Sequence, residues 1–147
     1  MRLNWGAVLL AAIVHWLFGA VWFTAFAGVW AAGLRMSAEE LQAAKAHPNF
    51  WPYLIALLCN LLLAYAIARL LSGSESHTLF RGLRVGMLVG LATAVAMATE
   101  LVFELRPRSF IVIAAGYPLL GCIVMGIIIG AWRLKPKAES GREASAS

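Results

Sequence analysis

The sequence predicts an all-α, polytopic membrane protein whose four transmembrane helices form one bundle, and three observations carry that expectation. Of 147 residues, 62% are hydrophobic and 13% charged, with a mean hydropathy of +0.81, far from the roughly half-apolar, quarter-charged make-up of soluble domains. Four apolar stretches, at about residues 4–29, 51–71, 79–103 and 110–132, each exceed the roughly 20 residues that cross about 30 Å of hydrocarbon as helix. The stretches are continuous rather than alternating, which argues against the shorter, period-two strands of a membrane barrel. Residues 1–135 therefore read as one four-helix transmembrane domain, with no room for a soluble one.

The first span, from about Asn4 to Val29, contains "AIVHWLFGAVWF". Arg2, the apolar run and Ala25-Phe26-Ala27 imitate a signal peptide, but the run is longer than a signal core, His15 interrupts it, and Trp5, Trp16 and Trp22 are bulky for a removed segment. Retention as a span is the expectation. In the following loop, Ser37-Ala38-Glu39-Glu40 is a capping box that opens a surface helix at about residues 38–46, ended before Pro48. Pro52 suits the first turn of the second span, and "SGSESH" is a flexible turn leading to the third. "ELRPRS" makes a tight hairpin into the fourth span, with Ser109 as the expected cap. Residues 136–147 are polar and low in complexity, so disorder is expected there.

Orientation follows from the basic residues at the two ends of the spans. The N-terminus, second loop and tail carry Arg2, Arg69, Arg81, Arg84, Arg133, Lys135, Lys137 and Arg142, against Arg35, Lys45, Arg106 and Arg108 in the first and third loops. Both termini are therefore expected in the cytoplasm, with the chain in a cytoplasmic (inner) membrane. Glu75, Glu139 and Glu143 leave the first side at net +5, whereas Glu39, Glu40, Glu100 and Glu104 neutralise the second. Such a rim favours anionic lipid headgroups. Basic residues scattered over short loops give no nucleic-acid footprint.

Helical periodicity of about 100° per residue places Asn4, Val8, His15, Gly19, Trp22 and Phe26 in one sector of the first span, so His15 faces protein. An imidazole in hydrocarbon needs a partner. In the third span Gly82, Gly86 and Gly90, continued by Ala94 and Ala98, form the small-residue stripe of close helix packing, and Thr93, Glu100 and Glu104 share its side. In the second, Tyr53, Ala56, Asn60 and Ala64 share a face; in the fourth, Tyr117 and Gly121 occupy one side, with Gly126 and Gly130 about opposite and free for a subunit contact. From the outer boundary Glu100 lies roughly 6 Å in, Trp22 and Tyr117 roughly 10 Å, Asn60 roughly 14 Å and His15 roughly 18 Å. These five residues form a candidate polar track, with Pro118 freeing the Ala114 carbonyl beside it.

"LNWGAVLLAAIVHWLFGAVWF", "SAEELQAA" and "FELRPRSFIVIAAGYPLLGCIVMGIIIGAW" together resemble the bacterial four-span membrane proteins of the domain-of-unknown-function family numbered seventeen sixty-one. The matching positions are Asn4, Trp5, His15, Gly19, Trp22, Phe23, Phe103, Glu104, Arg106, Pro107, Gly116 and Tyr117. Family members often carry Ser-Pro where this chain has Thr24-Ala25, and many carry a histidine where it has Pro118. The resemblance implies the topology and a bacterial source, and no activity.

Cys59 and Cys122 have no regular spacing and lie at different depths, so neither a disulfide nor a metal cluster is expected. No nucleotide or phosphate loop appears and aspartate is absent, so no cofactor is expected either. Three function classes remain. The first binds or transports a small ligand through an outward-facing cleft lined by Trp22, Asn60, Glu100 and Tyr117 and floored by His15. The second is a structural or accessory protein, a homo-oligomer or the companion of a membrane partner, docking through its glycine faces. An intramembrane enzyme using His15 and Glu100 as acid and base ranks third.

Overall fold

The computed structural model describes residues 3–46, 49–72 and 78–132; the expected disordered tail, at 136–147, lies outside them. Its elements are α1 (Trp5–Ala25), α2 (Ala27–Leu34), α3 (Ala38–Ala46), α4 (Trp51–Ser72), α5 (Leu79–Phe103) and α6 (Arg108–Ala131). Four of them, α1, α4, α5 and α6, are long and apolar enough to cross a membrane. They pack as an all-helical bundle, so the chain is a multi-pass membrane protein. Among the described residues there are no strands.

The first span differs from its expected extent. Helix α1 stops at Ala25 and the chain resumes as α2 after Phe26, whose φ of −106° and ψ of 22° leave helical geometry. Two local causes coincide. The Thr24 hydroxyl donates to the Ala20 carbonyl at 2.7 Å, a back-bond that bends helices, and Gly28 lowers helix propensity just beyond the break. Upstream, Asn4 caps α1 by accepting from the Ala7 N–H at 3.2 Å. In the first loop the capping box closes reciprocally: the Glu40 N–H donates to Ser37 Oγ at 3.1 Å and the Ser37 N–H to Glu40 Oε2 at 2.7 Å.

Helices α1 and α4 run antiparallel, joined at one end by Trp16 Nε1 donating to the Tyr53 carbonyl at 3.2 Å. At the other end Trp5 stacks on Tyr65, centroids 5.8 Å apart. The closest helix pair is α5 with α6. A Cβ on Gly82 would meet the Gly126 carbonyl oxygen, on Gly86 the Cys122 carbonyl oxygen, and on Gly90 the Leu119 carbonyl oxygen. Backbone lies on backbone along this seam, as small residues permit in lipid. Gly126 and Gly130 belong to the same seam, facing Gly82 and Gly86. They are therefore buried inside the chain rather than free on an opposite face. Helix α6 is the axis of the molecule, since α1, α2, α4 and α5 all pack on it, whereas α5 rests chiefly on α6.

The hairpin between α5 and α6 ends α5 in a Schellman motif: the Leu105 N–H donates to the Val102 carbonyl and the Arg106 N–H to the Leu101 carbonyl. Leu105 takes the left-handed conformation, φ 55°, that glycine usually fills. Helix α6 then starts at Arg108 with Pro107 as its first flanking residue, not with Ser109 as cap.

Candidate functional site

Along α1 the buried residues are Ala7, Val8, Ala11, Ala12, His15 and Gly19, the three-and-four spacing of one helical face. Small alanines bring α1 close to α4 and α6, and His15 is the large polar group on that face, 1% exposed. Its ring lies on the Tyr117 ring of α6, centroids 4.6 Å apart and planes 28° apart. Space for the imidazole comes from Gly121, where a Cβ would overlap His15 Nε2.

The arrangement is reciprocal. On α1, Gly19 makes room for Tyr117, whose hydroxyl oxygen would lie 2.9 Å from a Cβ at that glycine. The same hydroxyl donates to the His15 carbonyl at 3.4 Å. One turn on, Trp22 lies against Gly116 and donates from Nε1 to the Ile113 carbonyl at 3.1 Å. This acceptor is one residue before Ala114, the carbonyl expected to be freed by Pro118. Phe110 fills the space over Gly33 of α2. Four aromatic rings, each seated on a glycine of the facing helix, thus form a ladder between α1–α2 and α6. Phe18 and Phe23 complete its side, with centroids 6.0 and 5.1 Å from that of Tyr117.

Asn60, from α4, is 7% exposed and stands beside the Tyr117 hydroxyl. Among the described residues neither its Nδ2 nor either ring nitrogen of His15 has a hydrogen-bond partner. Each such orphan costs about 1–3 kcal/mol of desolvation, so three around one tyrosine make an unusual expense in a small bundle. Cys122 lies one residue beyond Gly121, fully buried, with its thiol beside the Thr93 hydroxyl. Thr93 in turn donates to the Val89 and Gly90 carbonyls at 3.0 Å.

Of the five residues of the expected polar track, His15, Trp22, Asn60 and Tyr117 come together around α1, α4 and α6. Glu100 does not join them. It lies exposed on α5, and α1 packs on α4 and α6 rather than on α5. Arg106 bonds Glu104 Oε2 at 2.9 Å and the Gly33 carbonyl at 2.8 Å. Glu104 therefore pairs with Arg106. Among the described residues no three His, Cys, Asp or Glu side chains gather as a metal site. Sequence reasoning missed Phe18 and Phe110, because an aromatic in a membrane span reads equally well as lipid-facing, and with Phe110 it missed Gly33, over which that ring lies.

A family described as a protein of unknown function, DUF1761, matches residues 6–130, which contain the whole aromatic ladder and the glycine seam. No curated protein and no solved structure matches the chain.

Proposed function

The chain belongs to the DUF1761 family, whose description names no activity, and we propose that it binds a small polar ligand inside the membrane, or passes one across it, at the cluster of His15, Asn60, Tyr117 and Trp22. The observation that carries this reading is the set of unpartnered polar atoms: both imidazole nitrogens of His15 and the Asn60 amide, all buried. In a low-dielectric interior such groups bond one another, hold water or hold a ligand. A neutral imidazole offers one donor and one acceptor and the amide nitrogen two donors. Their complement is a small solute carrying both acceptors and a donor, such as urea, formamide or a short polyol. Tyr117 and Phe18 supply apolar walls, and Trp22 stands between the cluster and the end of the bundle that bears α2.

Two other readings lose their footing. Docking of a partner through glycine faces needs free glycines, and Gly82, Gly86, Gly90, Gly126 and Gly130 are all spent on the seam between α5 and α6. Acid–base catalysis by His15 with Glu100 needs the two to meet, and Glu100 lies exposed on a helix that does not pack on α1.

The test is solute flux. Proteoliposomes of the full chain are challenged with urea, formamide or glycerol in a stopped-flow light-scattering experiment, beside a pH-sensitive dye for protons. At least one solute should equilibrate faster than in protein-free vesicles, and His15→Phe, which keeps a ring and removes both nitrogens, should abolish the difference while the protein stays folded. Flux unchanged by His15→Phe, or absent for every probe together with no retained solute on the purified protein, would refute the reading.

A further inference from the structure

The end of the bundle where α5 begins carries a second feature, remote from His15. A cavity of about 310 Å³ opens there, lined by Thr78, Phe80, Arg81 and Arg84. We propose that this cavity seats the phosphate of an anionic phospholipid headgroup, with Arg81 and Arg84 as its cationic ligands and Phe80 against the first part of the acyl chains. The proposal is independent of the reading of the His15 cluster.

Four observations converge on it. Arg81 and Arg84 are three residues apart on one helix, hence neighbours on its surface. Neither guanidinium forms an ion pair or hydrogen bond with another described residue, and a guanidinium fork matches a phosphate in a bidentate manner. Thr78 caps α5, its Oγ1 accepting from the Arg81 N–H at 3.3 Å, while the Gly82 N–H bonds the Thr78 carbonyl. The first-turn N–H groups of Leu79 and Phe80 are left without intrahelical partners, at the end of the helix dipole that favours an anion. Finally, α5 is itself a span, so its first turn stands where hydrocarbon gives way to headgroups. Phe80 is 73% and Leu79 47% exposed there, an apolar surface contiguous with the cationic one. A soluble phosphate compound would use the arginines and leave this apolar surface idle. A phospholipid uses both.

Purified full-length protein in a non-ionic detergent is titrated with phosphatidylglycerol, phosphatidylcholine or inorganic phosphate, and retained lipid is counted by native mass spectrometry. Phosphatidylglycerol should be retained in preference to phosphatidylcholine, and Arg81→Gln/Arg84→Gln should weaken its retention roughly thirtyfold. Arg69→Gln, which removes an exposed charge from the last turn of α4, should change it little. Equal loss in Arg69→Gln would mean diffuse attraction to a basic rim and would overturn the proposal. So would equal retention of phosphatidylcholine. If inorganic phosphate at millimolar concentration displaced the lipid fully, the site would be one for soluble phosphate, and the lipid assignment would fall. Should the glutamine pair fail to fold, Arg81→Lys/Arg84→Lys keeps the charge and removes the forks. Retention should then drop by about threefold or more, and no drop would again be fatal.

Discussion

At the scale of single residues the site is a set of size exchanges: where α1 contributes a large ring α6 contributes a glycine, and the reverse. Gly121→Ala places a methyl group into the His15 imidazole, so it should destabilise the protein by about 1–3 kcal/mol, as overpacking does, and lower its melting temperature in detergent. Gly28→Ala, at a glycine with open space around it, should not. If the clash is with His15 itself, His15→Ala should cost less in the Gly121→Ala background than alone, a coupling that a double-mutant cycle reads directly. Asn60 permits a sharper separation of function from stability. Its Nδ2 is buried without a partner, and removing an orphan donor with an apolar residue of similar shape is neutral or stabilising. Asn60→Leu should therefore leave the melting temperature unchanged or raise it while abolishing solute flux. A fall in melting temperature would instead identify Asn60 as a strut of the fold.

Single contacts of this kind are organised by elements, and the decisive one is the link between α2 and the α5–α6 hairpin. Two residues with left-handed backbone, Arg35 at φ 57° and Leu105 at φ 55°, end α2 and α5. They are tied to each other, because Arg35 Nη2 donates to the Leu105 carbonyl at 2.9 Å. Arg106 makes the return bond to the Gly33 carbonyl at 2.8 Å. Trp30 on Phe110, centroids 4.8 Å apart, completes the latch. Arg106→Ala should speed hydrogen exchange of the amides of α2 and leave those of α4 protected. Leu105 is 79% exposed and gains little from its side chain, so Leu105→Gly should be tolerated and should raise stability by up to about 1 kcal/mol as the left-handed strain is relieved. How far elements could be read from the sequence follows the range of the forces involved. The capping box at Ser37 is local and was legible, as was the stripe of Gly82, Gly86 and Gly90. The partner of a stripe is a tertiary fact: periodicity set Gly126 and Gly130 about opposite Tyr117 and Gly121, but α5 packs on that side, and the exposed residues of α6 are others, Val112 and Leu120 among them. Glu100 misled for a related reason. It shares the azimuth of Gly82, yet burial along that face ends after Ala94, and an azimuth gives a direction without saying what stands there.

For the molecule as a whole, the bilayer is the missing layer of packing. Leu17, Val21, Leu62, Leu88, Val95 and Val112, all more than half exposed, lie on helices long enough to span, where acyl chains cover them at no hydrophobic cost. An even number of spans puts the two chain ends on one side of that layer, and the basic residues choose which. The ends and the second loop hold a twofold excess of lysine and arginine over the first and third loops, and basic loops stay in the cytoplasm. The face bearing α2, α3 and the Arg106 latch should therefore be external, and the cavity at Arg81 and Arg84 should meet the cytoplasmic leaflet, where anionic lipids act on basic groups. Cysteine labelling decides this. In a background of Cys59→Ala and Cys122→Ala, Ser37→Cys should react with a membrane-impermeant maleimide in intact cells. Ser147→Cys should react only after permeabilisation. The reverse pattern would turn the bundle over and place the phosphate cavity outside. Labelling of both in intact cells would mean that the chain crosses the membrane an odd number of times, which would contradict the pairing of α1, α4, α5 and α6 as four spans.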